Sequence, residues 1–181
     1  MKKIVMICGL ISGGIVSGLM GLSMLMYNNN SDLKHSEVLG YATMILAFSL
    51  IFVGIKMFRD KHNGGTVTVG KGFLIGLYIT LIASTMYVAV WALEYKYVFP
   101  DFMEKYSAQM ISQVKSSGAS PDKVDATLKQ MAMYRDMYKN PVFFTLMTYA
   151  EILPVGLVIS LVSALILKRS DKKIVIAGNP S

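Results

Sequence analysis

Charged residues are scarce in this chain. Asp, Glu, Lys and Arg make up 16% of its 181 residues, against about 25% in an average soluble protein. A single cysteine, Cys8, sits inside an apolar run, so neither a disulfide framework nor a cysteine-based zinc site can be built. Histidine occurs twice, at His35 and His62, which leaves no H-E-x-x-H pair, and no G-x-S-x-G elbow is present. These absences remove the usual catalytic sets. Tyr, Ser and Glu alone can do chemistry, so they weigh against an enzyme without excluding one, and they imply no cofactor.

What fills the space is apolar: 54% of residues are hydrophobic. A soluble fold of this size could not hide so much apolar surface, whereas a bilayer removes the need. Four runs, residues 4–26, 38–55, 73–93 and 142–167, each have about the 17–25 residues that a spanning helix requires. The start, Met1-Lys2-Lys3 followed by an apolar stretch, resembles a signal peptide. Its apolar run is longer than the roughly 7–15 residues of a signal core, and no A-x-A site follows. The expectation is a retained helix. Asn28-Asn29-Asn30-Ser31 and His62-Asn63-Gly64-Gly65 break the chain between spans, Pro100 follows the third run, and Pro141 opens the fourth at a position a helix start tolerates.

Lys and Arg are distributed unevenly about these runs. One side receives Lys2, Lys3, Lys56, Arg59, Lys61, Lys71, Lys168, Arg169, Lys172 and Lys173 against only Asp60 and Asp171, a net +8. The other receives Lys34, Lys96, Lys105, Lys115, Lys123, Lys129, Arg135 and Lys139. Its acids are Asp32, Glu37, Asp101, Glu104, Asp122, Asp125 and Asp136, with Glu94 and Glu151 near or inside the runs, a net −1. The basic side is expected in the cytoplasm, and with it both the N- and C-termini. The overall +7 is therefore a topology signal, and nucleic acid is not an expected partner. Tyr27, Tyr41, Trp91, Tyr95, Tyr97 and Phe99 cluster towards the other face, as an interfacial belt should.

The segment 96–140 is too long and too patterned for a connector. Met103, Tyr106, Met110 and Val114 recur at helical spacing, as do Val124, Leu128, Met131, Tyr134 and Tyr138. Between them, Gly118 suits a helix stop, Ser120 an N-cap and Pro121 a first turn. The expected fold is an all-α integral membrane protein. It forms one membrane domain over residues 1–181, with an extracytoplasmic helical hairpin, 96–140, inserted between the third and fourth transmembrane helices.

Several stretches carry a family resemblance. They are Gly40-Tyr41-Ala42-Thr43-Met44-Ile45-Leu46-Ala47-Phe48-Ser49-Leu50-Ile51-Phe52, Gly54-Ile55-Lys56, Trp91, Pro100-Asp101-Phe102-Met103, Tyr138-Lys139-Asn140-Pro141 and Glu151-Ile152-Leu153-Pro154-Val155-Gly156-Leu157. Over nearly its whole length the chain resembles an uncharacterised bacterial membrane protein family, domain of unknown function 4199. The resemblance implies a small four-helix protein of the bacterial cytoplasmic (inner) membrane, and supplies no mechanism and no functional residue.

Glu151 is the foremost candidate for chemistry. It lies roughly 14 Å along the helix from Val142 and roughly 25 Å from Lys168, between the midplane and the outer interface. A carboxylate there is costly unless paired, protonated or wetted. Pro154 cannot donate an amide and disturbs the carbonyl of Ala150, and a carboxylate beside a weakened turn suits proton or ion coupling. The plainer reading is a protonated or hydrogen-bonded packing glutamate near Tyr149, Ser84 or Thr85, and a third is contact with a ligand or a lipid headgroup. Glu94, between Trp91 and Tyr95, reads as an interfacial carboxylate reaching water, and Lys56 as a snorkelling lysine. Gly9-x-x-x-Gly13 and Gly14-x-x-x-Gly18, with Gly21 beyond, would let a second helix approach closely, from the same chain or from another copy.

Two weaker signals lose to simpler readings. Gly65-Thr66-Val67-Thr68-Val69-Gly70-Lys71-Gly72 nearly matches the phosphate loop, but Gly72 replaces the hydroxyl that would hold magnesium. A tight basic turn, locally extended at Thr66-Val67-Thr68-Val69, fits better. Met103, Met110, Met131, Met133 and Met137 offer soft thioethers suited to Cu(I), but they form no repeated Met-x-x-Met array, so a metal is not expected. The function expected overall is a non-enzymatic interaction or accessory protein with a partner at 96–140. The alternative is a small oligomeric transporter or channel subunit that uses Glu151.

Overall fold

The computed structural model describes residues 1–29 and 37–169. Asn30, Ser31, Asp32, Lys34 and His35 on one side, and Asp171, Lys172 and Lys173 on the other, lie outside the described residues, as do the side chains of Tyr27 and Glu37. The described chain is all-helical apart from turns and one isolated bridge. It contains α1 (Lys2–Asn29), α2 (Glu37–His62), α3 (Val69–Tyr97), α4 (Phe102–Ser116), α5 (Pro121–Tyr138) and α6 (Pro141–Leu167). Four of these helices, α1, α2, α3 and α6, are long and apolar enough to cross a membrane.

The helices outrun the apolar segments that announce them. α2 continues past residue 55 through Lys56, Arg59 and Lys61 to His62, and α3 begins at Val69 rather than at Phe73. Hydropathy marks only the part of a helix that suits hydrocarbon. Backbone hydrogen bonding carries the helix further, until a turn stops it. Here the stops are Gly64 and Gly65, both at positive φ, and Thr68, whose side chain accepts from the Lys71 amide at the start of α3. Asn140 caps α6 in the same way by accepting from Val142 N at 2.9 Å, with Pro141 in the first turn. Gly118, at φ 71°, ends α4 as expected. Ser120 occupies the cap position of α5, but its side chain makes no capping bond.

Packing sets the directions. Positions Gly9, Gly13 and Gly21 of α1 face Ile82, Met86 and Glu94 of α3 in the same order, so the two helices run parallel. Gly72 and Gly76 of α3 face Ala164 and Ser160 of α6 in reverse order, so that pair is antiparallel. α1 and α6 each pack on both α2 and α3, which touch across the middle. Phe48, Ile51, Ile55, Ile75, Ile79 and Ile152 fill the centre with no exposure. The outward faces are apolar too: Leu46, Val158, Leu165 and Ile166 are each at least half exposed. Apolar surface of this extent is foreign to soluble monomers and is what contact with a bilayer requires.

The two ends of the bundle differ. Lys2 and Lys3, the end of α2, Lys71 and Lys168-Arg169 all gather at one end. There Val67 and Arg169 exchange backbone hydrogen bonds at 2.9 and 3.0 Å, which is the local extension expected near Val67. Lys71 donates to Asn63 Oδ1 at 3.1 Å and lies over the Phe58 ring. Gly72 is pressed against Ala164. The phosphate-loop look-alike is thus a helix-start turn whose lysine and last glycine are both engaged in packing. At the opposite end, α4 and α5 pack on each other and α5 on α6.

Candidate functional site

An aromatic cluster joins α4 and α5 to the ends of α3 and α6. Trp91 is buried and stands edge-on to Phe102, 5.0 Å between centroids, while Phe144 is 6.4 Å from Trp91 and 5.2 Å from Tyr95. Tyr138 meets Phe144 edge-on at 5.5 Å. Each such contact adds about 0.5–1.5 kcal/mol to simple burial, so the cluster anchors the helix pair. Of the expected belt, Trp91 and Phe99 are interior, while Tyr41 and Tyr97 are exposed.

Beside this anchor α4 and α5, with α2 and α6, border an open cavity of about 430 Å³. Tyr41 of α2, Phe102, Met103 and Tyr106 of α4, Tyr134 and Tyr138 of α5, and Met147 and Glu151 of α6 line it. Its size falls within the roughly 300–1,000 Å³ of small-molecule sites. The structure therefore brings Glu151 together with the hairpin residues Tyr106, Tyr134 and Tyr138, a grouping that no local motif announces. Burial, and secondarily the nearby charge of Glu151, push the Tyr138 phenol up to about 12. Gln130 donates to the Tyr134 hydroxyl at 3.1 Å. Of the neighbours expected around Glu151, Tyr149 donates to Thr85 Oγ1 at 2.9 Å, and Ser84 is buried in the core.

Pro154 lies on the exposed side of α6, which continues through it without a break. Two residues on, a Cβ on Gly156 would collide with the Thr80 side chain, and the Thr80 and Ser160 hydroxyls are 3.2 Å apart. The helix is thus gripped by α3 just beyond its weakened turn.

The glycines of α1 divide. A Cβ on Gly9 would come within 2.8 Å of Ile82, and one on Gly13 within 2.9 Å of Met86. Gly14 and Gly18 are exposed; a Cβ on Gly18 would meet nothing within 4 Å, and one on Gly14 only the tip of Met86. Gly21 is the one that receives a functional group, since a Cβ there would strike Glu94 Oε1 at 2.5 Å. Glu94 differs from its expected role. It is half-buried against α1, and its Oε2 has no hydrogen-bond partner among the described residues. The cause is Gly21, whose missing side chain lets the Glu94 carboxylate lie directly against the α1 backbone.

The model of the family described as Protein of unknown function (DUF4199) matches residues 7–169. No curated protein and no solved structure matches the chain.

Proposed function

We propose that this chain, which belongs to the DUF4199 family, is a single-domain four-span protein of the bacterial cytoplasmic membrane. Its basic end, with both termini, faces the cytoplasm, and α4 and α5 form a hairpin on the outer side. It acts without chemistry of its own, as an interaction or accessory protein whose outer hairpin and the space beneath it receive a partner or ligand. One observation carries this reading: the hairpin borders an open cavity of about 430 Å³ together with the membrane helices. A loop that served only to connect two spans would have no reason to be held there by a buried tryptophan. The net +8 of one end against −1 of the other supports the orientation.

A second reading has its own support. Glu151 and Pro154 share one turn of α6, an arrangement that suits a transporter or channel subunit. The core beside them is filled by Phe48, Ile51, Ile79 and Ile152, so a conducting path would run between copies of the chain. The exposed Gly14-x-x-x-Gly18 face offers a route to such an oligomer.

Chemical crosslinking from single positions on α4 and α5 in intact membranes, followed by purification in detergent, separates the two. The accessory reading expects one stoichiometric product that is lost when the hairpin surface is altered. The transporter reading expects reconstituted vesicles to pass protons or solute, with the flux abolished by Glu151→Gln. Flux without any partner product overturns the first reading.

A further inference from the structure

We infer that the basic end carries a site for the phosphodiester headgroup of an anionic phospholipid, at the seam where α2 and α6 end, with Lys56 and Arg169 as its cations. The inference goes beyond the reading of the hairpin and does not depend on it.

Two clamps build the site. Arg59 Nε donates to Asp60 Oδ1 at 2.6 Å and Nη2 to Oδ2 at 3.2 Å. Its Nη1 reaches the Leu167 carbonyl at 3.4 Å, which ties the end of α2 to the end of α6. Two residues on, Arg169 exchanges backbone hydrogen bonds with Val67, so the chain leaving α6 is held from a second side. These clamps bring Lys56 and Arg169 to one place, for the charges of both act on the Asp60 carboxylate. Asp60 is the one acid that the described residues place at this end, and Arg59 already balances it. Lys56 and Arg169 are therefore a surplus of positive charge, and both are exposed. Lys71 takes no part, because its amine is held by Asn63 and the Phe58 ring.

The surroundings select the ligand. Lys56 follows Val53 by three residues, and Arg169 follows Ile166 by three. Val53 and Ile166 are exposed, as is Met57 beside them. The surplus cations thus stand about one turn from an apolar outer wall. An amphiphile with a negative head and acyl chains satisfies both parts. A soluble phosphate would make the charge contact and gain nothing from the wall, and a zwitterionic lipid would bring a cation of its own to Lys56 and Arg169. Arginine meets phosphate oxygens with paired donors and lysine meets them as a point charge, so one of each suits the two unesterified oxygens of a diester. Basic groups between spanning helices are known to hold acidic lipid heads, and each Lys or Arg near such a surface is worth a factor of about five.

The test uses the full chain purified in a neutral maltoside detergent and titrated with phosphatidylglycerol, with bound lipid counted by native mass spectrometry. Phosphatidylglycerol should bind at least about tenfold more tightly than phosphatidylcholine with the same acyl chains. Lys56→Gln and Arg169→Gln should each weaken it by about fivefold, leave phosphatidylcholine unaffected, and elute and melt like the parent. Should one variant fail to fold, the other decides. Lys56→Arg should retain binding, and Lys123→Gln, on the exposed surface of α5, should change nothing. Glycerol 3-phosphate in large excess, a head without chains, should not displace the lipid. Displacement by it identifies a soluble phosphate as the ligand and overturns the lipid assignment. Equal binding of the two lipids, no effect of the Lys56 and Arg169 substitutions, or an equal loss from Lys123→Gln overturns the site itself.

Discussion

Helix α6 uses its two faces in opposite ways. On one face Gly156, Ser160 and Ala164 meet Thr80, Gly76 and Gly72 of α3 so closely that a Cβ at Gly76 would come within 2.6 Å of the Ser160 hydroxyl. On the other, Met147 and Glu151 border a cavity of about 430 Å³ under α4 and α5. The contrast follows from the solvent. Lipid tails are as apolar as leucine, so burying apolar side chains gives spanning helices little reason to associate, and close backbone approach through small residues does the holding. At the cavity the lining residues come from four helices, and the aromatic cluster around Trp91 ties those helices together beside it.

This comparison can be broken at several points. The largest effect is expected at the seam. Gly156→Leu should cost more than about 3 kcal/mol, at or beyond the upper end for overpacked sites, because the new side chain meets Thr80 directly. Loss of the monodisperse species in detergent and a collapsed melting transition would register it, and adding Thr80→Gly should recover part of the loss. A freely folding Gly156→Leu variant would show that the seam is looser than described.

Phe144→Ala comes next, at about 2–3 kcal/mol, at or below the lower end of values for buried aromatics. Phe144 contacts Trp91, Tyr95 and Tyr138. Hydrogen exchange should therefore rise in α4 and α5 while α1 and α3 stay protected. Uniform loosening of all six helices would contradict the separation of the two regions.

A pH scan sharpens the same distinction. Tyr138 titrates near 12 in the fold against an ordinary 10.0, mainly through burial. An acid whose folded pKa is raised keeps its native contribution below the ordinary value and loses it as pH rises through the folded value. Melting temperature should thus fall between about pH 10 and pH 12, and Glu151→Gln should move the phenol titration downward by removing the secondary, charge-based contribution. A titration unchanged in Glu151→Gln would separate the two groups. The smallest effect belongs to Ser12→Ala. Ser12 donates to the Ala47 carbonyl at 2.9 Å inside the core, and such bonds between membrane helices average about 0.6 kcal/mol. A melting shift larger than that of Phe144→Ala would reverse the ranking.

The elements themselves were legible because hydrophobic run length, turn residues and the spacing in segment 96–140 each report on local structure. Gly118, Pro121 and Pro141 announced helix ends for reasons that act within a few residues. The site was only half legible. Glu151 stood out, since a carboxylate in an apolar run is costly, but its neighbours Tyr41, Tyr106 and Tyr134 come from helices far apart in sequence, and nothing local links them. Beyond the glycines of α1, the i, i+4 series Gly72, Gly76 and Thr80 faces Ala164, Ser160 and Gly156. That signal was present. It is inconspicuous because threonine and serine stand out less than glycine as small packing residues, and because Gly72 also falls in the phosphate-loop look-alike. The setting of Glu94 is not legible because it depends on which residue of α1 packs opposite it, here Gly21, and hydropathy does not report helix pairing.

The most direct test of the account is the sidedness of its two regions. Cys8 is the one cysteine of the chain and is buried, so in a Cys8→Ser background a single new cysteine can be followed with a membrane-impermeant maleimide. Ser117→Cys, in the turn between α4 and α5, should be labelled in intact cells, and Gly64→Cys, in the basic turn between α2 and α3, only after the membrane is opened. Labelling of Gly64→Cys in intact cells, with Ser117→Cys protected, would contradict the account.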